Sequence, residues 1–191
     1  MPRIRRKQRP PVLAEYRKYK PYLRIDFQYR CAYCHIPELR YGPPGNYSID
    51  HFRPKSRPEF SHLVSRYANL YYACQDCNRH KGKTWPAPQL RADGFRFLDP
   101  CKDDYNEHWR VRPSGEIEAF TRAAEYMIGR LGLNCAYLID WRRKKGSLIA
   151  YIERLERLIH VLTPGTQEHN DTSEFVQHLR LQLGDEYGDL W

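Results

Sequence analysis

The 191-residue chain has no long apolar run. Nowhere does it approach the roughly 18–20 consecutive apolar residues that a membrane helix needs, so a membrane-spanning role is not expected. The start, Met1-Pro2-Arg3-Ile4-Arg5-Arg6, lacks the apolar stretch of a secretory leader, which points to the cytoplasm. Internal repeats and low-complexity tracts are missing too, which excludes a solenoid and a largely disordered chain. Cysteine is sparse at six residues. Cytoplasmic thiols stay reduced, so these cysteines read as metal ligands or core residues rather than as a disulfide framework.

What the chain has in excess is positive charge, a formal +9, unevenly distributed. Residues 1–30 hold ten Lys/Arg against Glu15 and Asp26, a net of +8. Residues 31–100 hold ten against six, or +4, and residues 101–191 hold twelve against fifteen, or −3. Basic side chains that neutralise phosphates release counterions, so this distribution suits a polyanionic partner. A solvated basic tail would look the same from charge alone.

Four of the six cysteines form two Cys-x-x-Cys pairs, Cys31/Cys34 and Cys74/Cys77. Four thiolates close a tetrahedral zinc site and leave no open position for chemistry, so the zinc is expected to act as a staple. Between the pairs lies Tyr47-Ser48-Ile49-Asp50-His51, alternating as a strand does, and after the second pair comes Asn78-Arg79-His80-Lys81. The staple pulls Asp50 and His51 towards Asn78. Adjacent residues on an extended chain point to opposite faces, so Asp50 and His51 cannot easily serve one ion together.

The order Cys-x-x-Cys, Asp50-His51, Asn69-Leu70, Cys-x-x-Cys-Asn78-x-x-Lys81 resembles the HNH endonucleases over residues 31 to about 86. Where the family name spells His, Asn, His, this chain reads His51, Asn69, Asn78. The resemblance implies a ββα-metal fold that hydrolyses phosphodiester bonds, with DNA the favoured substrate. It implies that Asp50 and Asn78 hold Mg²⁺ or Mn²⁺, that His51 is the general base, and that Asn69 ties down the loop carrying His51. Oxygen donors from Asp and Asn suit such hard cations. Lys81 and Arg53 are candidate phosphate contacts or charge stabilisers, and Lys55, Arg57, Arg79 and Lys83 extend the expected nucleic-acid face. A zinc-stapled binding module without catalysis is the alternative.

The expected fold is α+β, a zinc-stapled ββα core with an N-terminal basic helical arm and a C-terminal hairpin plus helical extension. Residues 1–28 form the arm and a short helix: residues 1 to about 11 are expected to be disordered or draped on a partner, and the helix over Leu13–Lys20 to be broken at Pro21. Residues 29–90 form the core, and residues 91–191 the extension packed on it. Phe95 and Phe97 suggest a short strand, and Trp109-Arg110-Val111 faces Glu116-Ile117-Glu118 across Pro113-Ser114-Gly115 as a hairpin. Apolar residues at helical spacing predict helices through Ala124–Leu131 and Leu148–Leu162, the latter ended by Pro164-Gly165, and another at Phe175–Leu183. Cys101 and Cys135 are expected to be small buried hydrophobes, and His62 and His80 surface histidines. Asp99-Pro100-Cys101 and Leu131-Gly132-Leu133-Asn134 are similar to stretches of small HNH effectors of bacterial antiphage systems, the Septu and retron-associated nucleases. That resemblance implies an ATPase partner subunit, although the catalytic pair there is often Glu-His where this chain has Asp50-His51.

Overall fold

The computed structural model describes residues 4–6 and 9–187; Arg3 and Lys7 of the basic arm lie outside them. The described part of the arm is seated on the protein rather than free. Ile4 N–H donates to the Pro100 carbonyl at 2.8 Å, and the Arg6 guanidinium lies 5.3, 5.0 and 4.7 Å from the rings of Phe27, Tyr67 and Tyr71. The same guanidinium donates to the carbonyls of Tyr67 (2.8 Å) and Leu70 (2.7 Å). Aromatic faces give a cation a desolvated seat, and nothing in the sequence distinguishes this arginine from its neighbours. Arg6→Ala is expected to cost about 2–3 kcal/mol of stability in a denaturant melt, because it removes the charged hydrogen bonds and the cation–π attraction together. A loss under about 0.5 kcal/mol, the level of an ordinary surface substitution, would show that the arm only rests on the surface.

A 3₁₀ turn at Tyr16–Tyr19 leads into α1 (Lys20–Asp26). Pro21, expected to break a helix, sits instead in the first turn of α1, where its missing N–H leaves no bond unmade. After the first cysteine pair comes the single turn α2 (Glu38–Tyr41). Strands β1 (Tyr47–His51) and β2 (Leu70–Cys74) pair antiparallel, with Asp50 opposite Tyr71 and His51 opposite Leu70. Every residue of β2 is buried because α1 and the following helix, α3 (Gln75–Lys81), both pack on it. This is the ββα unit. Cys74 caps α3, its Sγ accepting from the Cys77 N–H at 3.5 Å, and Gly82 ends it.

In the extension, α4 (Pro88–Ala92) is followed by an extended segment that pairs with no strand, so the strand expected around Phe95 and Phe97 does not form. Both rings pack on Tyr126 instead. The hairpin is present as β3 (Trp109–Val111) and β4 (Ile117–Ala119). Helix α5 (Arg122–Leu131) starts at the Thr121 cap and stops at left-handed Gly132. Helix α6 (Ala136–Ile159) begins twelve residues before Leu148, well ahead of the stripe that announced it, and ends before Pro164-Gly165; α7 (Gln167–Tyr187) folds back on it. Gly115, at φ +91°, sets the hairpin turn flat on α6: a Cβ there would lie 2.1 Å from the Ile139 carbonyl oxygen.

One apolar cluster runs from Tyr19 and Leu23 through Tyr72, Phe97, Met127 and Trp141 to Leu183, so arm, core and extension share their interior. His80 Nδ1 meets the Leu131 carbonyl at 3.0 Å, tying α3 to α5. Cys101 is only partly buried, and Cys135 is exposed at the start of α6, so the expectation of buried hydrophobes fails for Cys135. Among the described residues no helix is long and apolar enough to cross a membrane.

Candidate active site

The Sγ atoms of Cys31, Cys34, Cys74 and Cys77 all lie within 4.8 Å of one another and are buried. A zinc ion with bonds of about 2.3 Å would space its four sulfurs roughly 3.8 Å apart. Cys34 and Cys74 are at 3.8 Å. Hydrogen bonds to the other three thiols, with burial, push the Cys77 thiol well up; burial and the hydrogen bonds to Cys31 and Cys74 raise Cys34, against the opposing bond to Cys77. Burial acts the same way on Cys31, but hydrogen bonds from the other three outweigh it and hold that thiol low. Holding all four as thiolates takes a cation at the centre, and the spacing fits zinc.

Strand β1 leaves this cluster and carries the polar residues of the site. Ser48 and Asp50, two apart, share the face towards α3; His51 points to the other face. Asn78 Nδ2 donates to Ser48 Oγ at 2.7 Å. One turn further along α3, Lys81 Nζ lies 3.1 and 2.9 Å from the two Asp50 oxygens and donates to the His51 carbonyl at 2.7 Å. The Tyr33 hydroxyl, from within the first cysteine pair, also donates to Asp50. Burial and the Asp50 carboxylate raise the Tyr33 phenol well above its ordinary range, so it stays a donor. Asp50 is 3% exposed and Lys81 0%. Lys81, expected as a phosphate contact, is placed instead as a buried counter-ion of Asp50.

His51 is 6% exposed, with Nε2 2.9 Å from the Val64 carbonyl and the Tyr16 ring edge-on at 4.7 Å. A carbonyl only accepts, so Nε2 donates and Nδ1 of the neutral ring keeps its lone pair. Burial lowers the His51 pKa below 6.5, against the opposing Val64 bond and Asp50 charge. The ring is therefore neutral at physiological pH. Any reaction using it as a base should have a flat rate above pH about 6.5 and an acid limb below that value, read from a pH–rate profile. An acid limb above pH 7 would contradict this environment.

Asn69 holds the segment after His51. Its Oδ1 accepts from the Arg53 N–H (2.9 Å), and its Nδ2 donates to the carbonyls of Arg53 (3.1 Å) and Leu63 (3.4 Å). The loop bridged in this way runs through a 3₁₀ turn at Pro58–Leu63 and presents Arg53 and Lys55 to solvent. Lys55 donates to the Tyr16 hydroxyl at 2.9 Å; Arg57 donates to the Trp85 carbonyl at 2.9 Å and pairs with Glu59; Arg79 pairs with Asp76. Lys83 is exposed beyond α3. A pocket of about 180 Å³ beside Asn69 is lined by Arg53, Arg66 and Lys102.

Residues 31–84 match the model of the HNH endonuclease family. This segment is an HNH domain. The chain is also similar to the Septu protein PtuB of Bacillus mycoides (strain KBAB4), 31% identical over 121 residues, which is 52% of this chain and 40% of that protein. It is 28% identical over 156 residues to the protein named "Retron Vc95 putative HNH endonuclease" of Vibrio cholerae serotype O1 biovar El Tor, covering 77% of this chain and 68% of that one. The first match thus spans well under two thirds of its relative. The HNH family uses metal ions to cut nucleic acid, and the cysteine cluster supplies this domain with a structural zinc position.

Tyr33, Tyr16 and Val64 contact the HNH site without a sequence signal to mark them, because each arrives from a segment distant along the chain. Arg66 and Lys102 were equally unmarked. Ser48 was legible, since a strand's period of two puts it on the face of Asp50.

Proposed function

We propose that the chain is a metal-dependent HNH endonuclease that hydrolyses phosphodiester bonds, DNA in the first place, as an effector of an antiphage system. What carries the reading is the placement of His51, neutral and with Nδ1 as its acceptor, next to Asp50 on a strand whose opposite face carries Ser48 against Asn78. Asp50 and Asn78 would hold Mg²⁺ or Mn²⁺; one carboxylate and one amide oxygen leave positions for water and phosphate. Lys81 would share Asp50 with that cation. When bound, the ion neutralises charge on the phosphate and the leaving oxygen.

The protein's own groups do the rest. His51 accepts the proton of the attacking water at Nδ1, its ring held by the Val64 carbonyl. Asn69 fixes the following loop so that the strand end does not drift. Arg53, Lys55, Arg57, Arg79 and Lys83 meet the backbone phosphates, which fixes register without reading sequence. Tyr16 shields one side of the imidazole and must yield or guide substrate past its edge.

A second reading, a zinc-stapled module that binds nucleic acid without cutting it, draws on the same groove: Asp50 already has Lys81 and Tyr33 for partners. Supercoiled plasmid incubated with Mg²⁺ or Mn²⁺, beside an EDTA control and His51→Ala, separates the two. Nicking that needs metal and falls by about 10²–10⁴-fold in His51→Ala is the expected result, the range for loss of a general base. Binding that survives both the omission of Mg²⁺ and Mn²⁺ and His51→Ala, with no cutting in any lane, would favour the module. An ATPase subunit is the proposed partner, on the similarity to PtuB. Absence of association with the product of a neighbouring ATPase gene at micromolar concentration would remove it.

A further inference from the structure

A second cavity, of about 560 Å³, lies between the β3–β4 hairpin and α6, where none of its lining residues comes from β1, β2 or α3. Its size falls within the range of roughly 300–1,000 Å³ typical of small-molecule sites. Val111, Pro113, Trp141 and Ile149 give it an apolar wall, while Arg112, Arg142 and Lys145 give it positive charge; no carboxylate lines it. Arg112 is paired with Glu118, which stands outside the lining. Lys145 Nζ lies 5.9 Å from the Trp141 ring centroid.

Two features are hard to account for by folding alone. Arg142 is 6% exposed, and its guanidinium donates to the Gly115 carbonyl (2.6 Å), the Leu133 carbonyl (2.7 Å) and Asn134 Oδ1 (3.1 Å), all neutral acceptors. Buried charges are ordinarily paired with a counter-charge; among the described residues these neutral oxygens are its partners, and Arg142 lines the cavity. Gly146 sits inside the 24-residue helix α6 and lines the cavity. Glycine is a poor residue for a helix interior. No close packing demands it here, because a Cβ at Gly146 would meet nothing within 4 Å. Its one evident effect is to keep the cavity open.

We propose that this cavity binds a nucleoside phosphate, with the phosphate towards Lys145 and Arg112 and the base in the apolar slot over Gly146. An apolar slot suits a planar base, and a cationic rim with no carboxylate among its lining residues suits a phosphate. His35, next to the zinc ligand Cys34, forms part of the lining, so an occupant would touch the first cysteine knuckle. The proposal is independent of the nuclease reading.

The test is calorimetric titration of the zinc-loaded full chain, in EDTA-free buffer without divalent metal, with AMP and ATP, and with a short single-stranded oligonucleotide as competitor. Binding of at least one nucleotide is expected, weakened tenfold or more in Gly146→Leu, which fills the slot, and in Lys145→Glu, which reverses the rim charge. Gly146→Leu should melt at or above the wild-type temperature, since leucine favours the helix. Displacement by the oligonucleotide would assign the nucleotide to a nucleic-acid strand, and its absence to the free pool. No heat with either nucleotide on wild type, or unchanged affinity in a folded Gly146→Leu, would overturn the site.

Discussion

Cys74→Ser should leave the chain without zinc and without a cooperative unfolding transition. Cys74 acts in three places at once. It ends β2, caps α3 through the Cys77 N–H at 3.5 Å, and stands 3.8 Å from Cys34 across the cluster. Removing it opens the link between the two cysteine pairs, 40 residues apart at Cys34 and Cys74. Structural zinc contributes an apparent stabilisation of about 10–16 kcal/mol in small zinc modules, as large as the whole stability of a typical domain. Because the apolar cluster is continuous from Tyr19 to Leu183, the loss should spread beyond residues 31–84. Zinc content and circular-dichroism melts check it, with a strong chelator on wild type expected to reproduce the variant. A variant that melts like wild type with its metal gone would show that the four sulfurs are packed rather than stapled.

Lys81→Met should destabilise the fold by about 3–5 kcal/mol, because it strands a buried carboxylate. The ammonium is 0% exposed and lies within 3.1 Å of both Asp50 oxygens, while Tyr33 supplies the one other donor described for that carboxylate. Adding Asp50→Asn should recover most of the loss, since replacing both members of a buried pair is often neutral. The double variant would also fold without a carboxylate in the groove, so its lack of metal-dependent cleavage would report on the Asp50–Lys81 pair rather than on folding. Urea melts of the two single variants and the double give the coupling energy. A Lys81→Met variant within about 1 kcal/mol of wild type would mean that Asp50 finds water or another partner there, and that Lys81 is free for a different task.

The local chemistry of the HNH domain was legible because it is written in short-range patterns. Two x-x spacings make the knuckles, alternation over Tyr47–His51 makes β1, and strand period two puts Asp50 and His51 on opposite faces. The hairpin at Trp109–Ala119 and helices α5 to α7 followed from turn residues and apolar spacing in the same way. Where local rules misled, a long-range contact had taken over. Phe95 and Phe97 alternate as a strand would, but no partner strand is near and Tyr126 takes both rings. Pro21 reads as a breaker unless one knows that α1 begins at Lys20.

What the sequence by itself determined is the clustering of Cys31, Cys34, Cys74 and Cys77, the strand, strand, helix order and the opposite facing of Asp50 and His51. Those depend on neighbours a few positions apart, whose geometry the backbone dictates. Only the tertiary structure decided what each polar group does. Lys81 became a buried counter-ion because α3 folds back over Asp50. His51 became a neutral base candidate because Val64 and Tyr16 close over it. Arg6 became a partly buried anchor because Phe27, Tyr67 and Tyr71 converge on it from two segments. Burial and counter-charge are properties of the assembled surroundings, and they set whether a lysine binds phosphate or a carboxylate, which no spacing along the chain can encode.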